Sequence, residues 1–139
     1  MDTTELASAY LRALANADVE EMLGLFTEDG VVHSPLYGHQ QAADFYPRLF
    51  GDTSEAGLTL KGVTEGRTVD GVPLVSIWFH FDWRLPSGRP APFEVVDLAE
   101  LDADGRIAVL RIVYDTVDVR PAFESEVGTS WRSNAETGS

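Results

Sequence analysis

The stretch Ala91–Asp115, APFEVVDLAELDADGRIAVLRIVYD, decides how this chain is read. It holds two runs of alternating apolar and polar residues separated by Asp102, Ala103, Asp104 and Gly105, the composition of a tight hairpin turn. Successive side chains of a strand point to opposite faces, so Phe93, Val95, Asp97, Ala99 and Leu101 share one face. Glu94, Val96, Leu98 and Glu100 share the other. Asp97 therefore falls among apolar neighbours, where a carboxylate is costly unless it takes up a proton or finds a specific partner. The alternatives are a bulge that turns it to solvent, or a purely structural hydrogen bond.

Upstream of this hairpin, Leu74–Arg84 predicts a strand with Val75, Ile77, Phe79, Phe81 and Trp83 on one face. Ser76, Trp78, His80, Asp82 and Arg84 lie on the other. Gly57–Glu65 predicts a further strand, and Arg67–Val72 a turn. Residues 2–17 predict a helix, with Leu6, Ala9, Tyr10, Ala13 and Leu14 on one stripe and Asp2 with Glu5 as a capping box. Asp18 with Glu21 opens a short helix carrying Val19, Met22, Leu23 and Phe26. Val31–Ser34 reads as a brief strand ended by Pro35, Leu36–His39 as a loop, and Gln40–Phe50 as a third helix that Pro47 kinks or ends. Three helices followed by a four-strand meander predict an α+β fold, a curved antiparallel β-sheet forming a cone closed by three N-terminal helices. Residues 1–118 form the single expected domain. Residues 119–139 lose periodicity and are expected to be a flexible tail.

With 139 residues, the chain has no cysteine, which excludes disulfides and thiolate chemistry. Its formal net charge of −13 repels phosphate backbones and anionic lipid, so nucleic acid and membrane are excluded as partners. The N-terminus lacks the basic and apolar regions of a leader, and a cytoplasmic location is expected. His33 and His39 lack a convincing third ligand, so no metal is expected, nor any other cofactor. His80, Asp82 and Arg84 are assigned to an outer face that pairs two subunits. Ser34 lacks the setting of a nucleophilic serine.

The runs YLRALANADVEEMLGLFTEDGVVHSP, GHQQAADFY and FEVVDLAELDADGRI resemble, in order and spacing, the nuclear transport factor 2-like superfamily. Within it they resemble the ketosteroid isomerase group and the related SnoaL-like polyketide cyclases, over about residues 6–116. The resemblance implies a conical pocket and a homodimer paired through the outer sheet face. It places Tyr10 on the oxyanion-hole tyrosine, Asp97 on a protonated aspartic acid that donates a hydrogen bond, and Tyr46 on a tyrosine supporting the first. Where the isomerases carry a catalytic aspartate before the strand-ending proline, this chain has Ser34, a poor general base, with His33 the nearest replacement. Asp97 itself is a third route for the proton, as in the cyclase branch. Phe26 stands where related isomerases often carry another tyrosine.

The expected pocket wall consists of Phe26, Phe45, Ile77, Phe79, Phe81, Trp83, Phe93, Val95, Ala99, Leu110, Ile112 and Tyr114, suited to a small apolar carbonyl compound. The implied chemistry is of the enolisation type. A catalytically silent binder, or an interaction module with a filled interior, is the alternative.

Overall fold

Asp2 begins the first helix as the sequence predicts: its side chain accepts from the Glu5 backbone N–H while Glu5 reaches back to the Asp2 N–H. The helix, α1, spans Thr3–Ala15 and buries the stripe that includes Leu6, Tyr10 and Leu14. The structure is a computed structural model and describes residues 1–128. The remaining elements are α2 (Val19–Leu23), β1 (Phe26–Ser34), β2 (Gly38–Gln41), α3 (Ala42–Gly51), β3 (Glu55–Arg67), β4 (Pro73–Arg84), β5 (Phe93–Leu101), β6 (Ile107–Val113) and α4 (Arg120–Glu126). The six strands form one curved, open sheet in the order β2-β1-β6-β5-β4-β3. The meander β3-β4-β5-β6 stands as the alternation predicts, and its inner face meets α1 and α3 in a single apolar core. Among the described residues, no helix is long and apolar enough to cross a membrane.

The structure departs from the sequence reading in several places. Phe26 does not close the second helix. Gly24 caps α2 after five residues, and Phe26 opens β1 opposite Ile107, whose N–H donates to the Leu25 carbonyl at 2.9 Å. The sheet is not wholly antiparallel, because β1 runs parallel to β6. A parallel neighbour needs a long crossover, and α3 with β3–β5 supplies it. Leu36–His39 is not a plain loop: Gly38, at φ 79°, turns the chain so that β2 pairs with β1, and α3 starts at Ala42 instead of Gln40. Helix α3 then continues through Pro47, which lies on its exposed side, to Gly51.

The expected tail is corrected in part. Residues 120–126 form α4, with Pro121 in its first turn, where a missing N–H costs nothing, and with Val119, Ala122 and Phe123 buried. The i, i+3, i+4 spacing of those three residues was the signal, but it is too short to stand out. Residues 129–139 lie outside the described residues.

The parallel junction is tight at Gly30. A Cβ there would sit 2.9 Å from the Phe26 ring and 3.1 Å from the Ile107 carbonyl oxygen, so backbone or ring must move to admit it. Gly30→Ala is expected to lower the free energy of unfolding by about 1–3 kcal/mol, read from denaturant midpoints at unchanged slope.

Candidate active site

Strand β5 delivers Asp97 to the inner face between Val95 and Ala99, opposite Ile77 on β4 and Ile112 on β6. No bulge rescues it. The residue is 1% exposed, and its Oδ1 is buried without a hydrogen-bond partner. Burial pushes its carboxyl up to about 7, and a hydrogen bond from the Tyr10 hydroxyl pulls the other way. Tyr10 comes from α1 and Tyr46 from α3, both fully buried, with their hydroxyls 3.0 Å apart. When Tyr46 donates in that pair, the Tyr10 proton is free for a third group. Burial raises both phenols, and the Asp97 charge raises them further, so neither ionises near neutrality.

A cavity of about 40 Å³ lies beside Asp97 and Tyr10. By the measure in which one water needs about 10–15 Å³, it has room for roughly three waters. Of the expected wall, Phe45, Phe79, Phe81, Trp83, Phe93, Val95, Ile112 and Tyr114 line it. Phe26, Ile77, Ala99 and Leu110 do not. They are fully buried, level with Asp97 or beyond it toward the β5–β6 turn, where side chains fill the interior. Tyr46 stands behind Tyr10 and does not line the space.

Leu14, Leu36, Tyr37 and Leu49 line the cavity without having been assigned to it. The first and last sit on the apolar stripes read in their helices. Leu36 and Tyr37 lie in a turn, and no periodicity marks them.

The aromatic rims carry polar tips that face away from the cavity. The Trp83 indole N–H donates to Thr53 Oγ1 at 2.8 Å, and the Tyr37 hydroxyl donates to Asp52 Oδ2 at 2.8 Å. Burial and the Asp52 bond raise the Tyr37 phenol, and burial raises Tyr114, whose ring stacks on Phe93 at 4.1 Å. Asp97 Oδ1 is left as an unpartnered polar atom beside a largely aromatic space.

Ser34 also reaches the cavity, but its Oγ accepts from the backbone N–H groups of Leu36 at 3.2 Å and Tyr37 at 3.1 Å. It ties the β1–β2 turn, and as a base it is unsuited. His33 is on the other face of the sheet, its ring 3.8 Å from that of His39 and its position opposite Arg111. Burial, His39 and Arg111 lower its pKa, while Glu100 opposes them. His33 therefore does not serve this cavity. Among the described residues no group of three or more His, Asp and Glu side chains stands close enough to hold a metal ion.

An open sheet with helices on its inner face, and a cavity between them built around a buried acid, defines the nuclear transport factor 2-like fold in its ketosteroid isomerase-like form. The chain belongs to the SnoaL-like domain family, whose model matches residues 7–110. Among curated proteins there is no match.

Three solved structures illustrate the likeness. A protein with a ketosteroid isomerase-like fold from Catenulispora acidiphila, in complex with trimethylamine, superposes at TM-score 0.68 with 16% identity. That match covers 92% of this chain and 95% of the other. The epoxide hydrolase/cyclase-like enzyme SalBIII of pyran ring formation in the polyether salinomycin gives 0.64 with 20% identity, over 84% and 92% of the two chains. The Δ5-3-ketosteroid isomerase from Mycobacterium sp. gives 0.60 with 19% identity, over 84% and 95%. At these identities the likeness is one of fold.

A carboxyl raised from 3.8 to about 7 binds a proton more tightly folded than unfolded, so stability falls as pH rises from 4 to 7. The penalty above pH 7 is on the order of 4 kcal/mol. His33 acts with the opposite sign, but it is common to wild type and variant. Asp97→Asn is therefore expected to gain on the wild type steadily between pH 4 and 8 in urea unfolding. A pH-independent gap would show that Asp97 is not held near 7.

Proposed function

We propose that this protein is a ketosteroid isomerase-like enzyme that binds a small apolar carbonyl compound in the cavity and carries out enolisation-type chemistry, double-bond isomerisation or polyketide-type cyclisation. The observation that carries the reading is the unpartnered Asp97 Oδ1 beside the Tyr10 hydroxyl in an otherwise apolar, aromatic space. A flat ring fits such walls, and a carbonyl oxygen is an acceptor for the Tyr10 hydroxyl and for Asp97 once it is protonated. The family model and the enzymes among the structural neighbours support the general class.

The Tyr10 hydroxyl donates to the carbonyl oxygen, backed by Tyr46. Ionised Asp97, the one carboxylate on the cavity wall, takes the α-proton. The C–H electron pair passes into the enolate, and the oxygen gains charge. Asp97, now protonated, becomes the second donor to that oxygen, and returns the proton to another carbon of the conjugated system. Protonated Asp97 and Tyr10 are thus the oxyanion donors, and no separate base is required of Ser34 or His33.

The test is hydrogen–deuterium exchange at the α-carbon of 2-tetralone in D2O, followed by NMR. Exchange is expected to exceed the buffer rate and to rise with pH through about 7 to a plateau, the free enzyme needing ionised Asp97. Tyr10→Phe and Asp97→Asn are each expected to slow it by about 10²–10³-fold. Ser34→Ala is expected to keep the rate within about threefold while costing about 1 kcal/mol of stability through the lost turn bonds. Exchange at the buffer rate, with binding intact, would favour the second reading, a silent ligand-binding protein. That reading is supported by the small size of the cavity and by the engagement of Ser34 Oγ.

The same reading has two copies pairing through the outer face, where Trp78 is 44% and Val113 53% exposed beside Val96 and Leu98. Trp78→Glu is expected to shift sedimentation toward the monomer; an unchanged distribution would count against this face.

A further inference from the structure

Strands β1, β4 and β6 end, and β5 begins, at one end of the sheet, and helix α4 lies across that end. Its position is set by three side chains. Arg120 Nη2 donates to the Pro35 carbonyl at 3.1 Å in the β1–β2 turn. Glu126 Oε1 accepts from the Ser87 N–H at 2.9 Å in the β4–β5 loop. Between them Phe123 is buried, its ring edge-on to Tyr37 at 5.2 Å and tilted on Trp83 at 5.9 Å. Tyr37 and Trp83 are walls of the cavity. The helix bridges turn and loop over the residues that close the space.

The helix is short for an element in that place. The helix has seven residues, no side-chain cap at its start, and no strand pairing. Hydrogen bonds from Ser87 hold the Glu126 carboxyl below the usual carboxylate range, so this anchor is a charged one. Val119, Ala122 and Phe123 join the helix to the core, and Phe123 reaches the cavity through the two wall residues it touches. The cavity, at about 40 Å³, is far below the roughly 300–1,000 Å³ of pockets that hold drug-sized ligands. A ring ketone does not enter it unless a wall moves.

We propose that α4 is the gate of this cavity: it swings on the Asp115–Val119 segment, lifts Phe123 from Trp83 and Tyr37 to admit a flat ring compound, and reseats over it. Phe123 then sets both the entry rate and the thickness of ring that is tolerated. The inference rests on reading the cavity as a ligand site, but the opening itself is measurable without any ligand.

Native-state hydrogen exchange tests the opening. The amides of Phe123 and Val127, bonded to Val119 and Phe123 carbonyls, are expected to exchange at least about a hundredfold faster than those of the β5–β6 ladder. Exchange of α4 only in step with global unfolding would overturn the gate. The second measurement is the association rate of 2-naphthol, a flat two-ring probe, followed by the emission of Trp83. Glu126→Ala, which removes an anchor outside the cavity lining, is expected to raise that rate about tenfold, and Phe123→Ala further. Should Phe123→Ala fail to fold, Glu126→Ala alone decides. An unchanged association rate in a folded Glu126→Ala overturns the gate and leaves the ligand site standing. Absence of 2-naphthol binding to both wild type and variants counts against the ligand site, and hydrogen exchange then decides the gate by itself.

Discussion

The rest of the structure is arranged around one carboxyl group held out of water. Asp97 sits on the central strand of the meander, where neighbouring strands place Ile77 and Ile112 beside it, and its Oδ1 meets no donor. A group in that state costs folding energy of the same order as a small domain's whole margin of stability. It persists because the elements around it are individually strong. The meander ladders, the capped α1 and a continuous apolar core supply the excess. Strain of this kind, concentrated at one residue and supported elsewhere, is the usual signature of a site rather than of a scaffold.

How the cavity wall stays apolar follows from where the polar ends of its aromatic residues go. A tyrosine or tryptophan brings ring area and one hydrogen-bonding atom, and both must be accommodated. Trp83 and Tyr37 direct theirs outward to the α3–β3 connection, at Thr53 and Asp52. Tyr46 directs its hydroxyl to Tyr10. Ser34 occupies the position nearest to a replacement base, yet two backbone N–H groups of the turn claim its oxygen. The substitution that breaks the isomerase pattern therefore has a structural occupation. It shapes the turn that presents Leu36 and Tyr37 to the cavity.

Much of this was legible in the chain because strands announce themselves by period two. Alternation alone put Phe79, Phe81, Trp83, Phe93 and Val95 on the same face as Asp97, and the fold brings them to one cavity. The same rule overreached at Ile77, Ala99 and Leu110, since facing inward does not tell a lining residue from one packed solid. Periodicity failed where conformation is set by single contacts. The early start of β1 depends on a pairing with Ile107 some eighty residues away, and β2 on the positive φ of Gly38. The burial of α4 depends on Phe123 finding Trp83 and Tyr37. Tyr37 belongs to the same class: nothing local in a turn says which way a ring will point. For His33, alternation already points to the side opposite Ser34 unless the strand end twists, and no twist intervenes. The strand pleat sends the two to opposite faces.

Closure of the cavity and the charge on Asp97 are one problem viewed from two sides. The largest cause of its raised pKa is burial, and the aromatic side chains of the cavity wall are part of what buries it. Admitting water restores solvation to the ionised form and draws the pKa down toward its ordinary value; excluding water again makes that same charge reactive, because a desolvated carboxylate is a stronger base than a solvated one. A gate that opens to take in a ligand therefore loads the site with an ionised carboxylate, and its closing raises the affinity of that carboxylate for a proton. Under the proposed chemistry the proton it takes is one on carbon, next to a carbonyl whose oxygen Tyr10 holds. If α4 gates the cavity as proposed, access and basicity need no separate devices, because the same movement admits ligand and water.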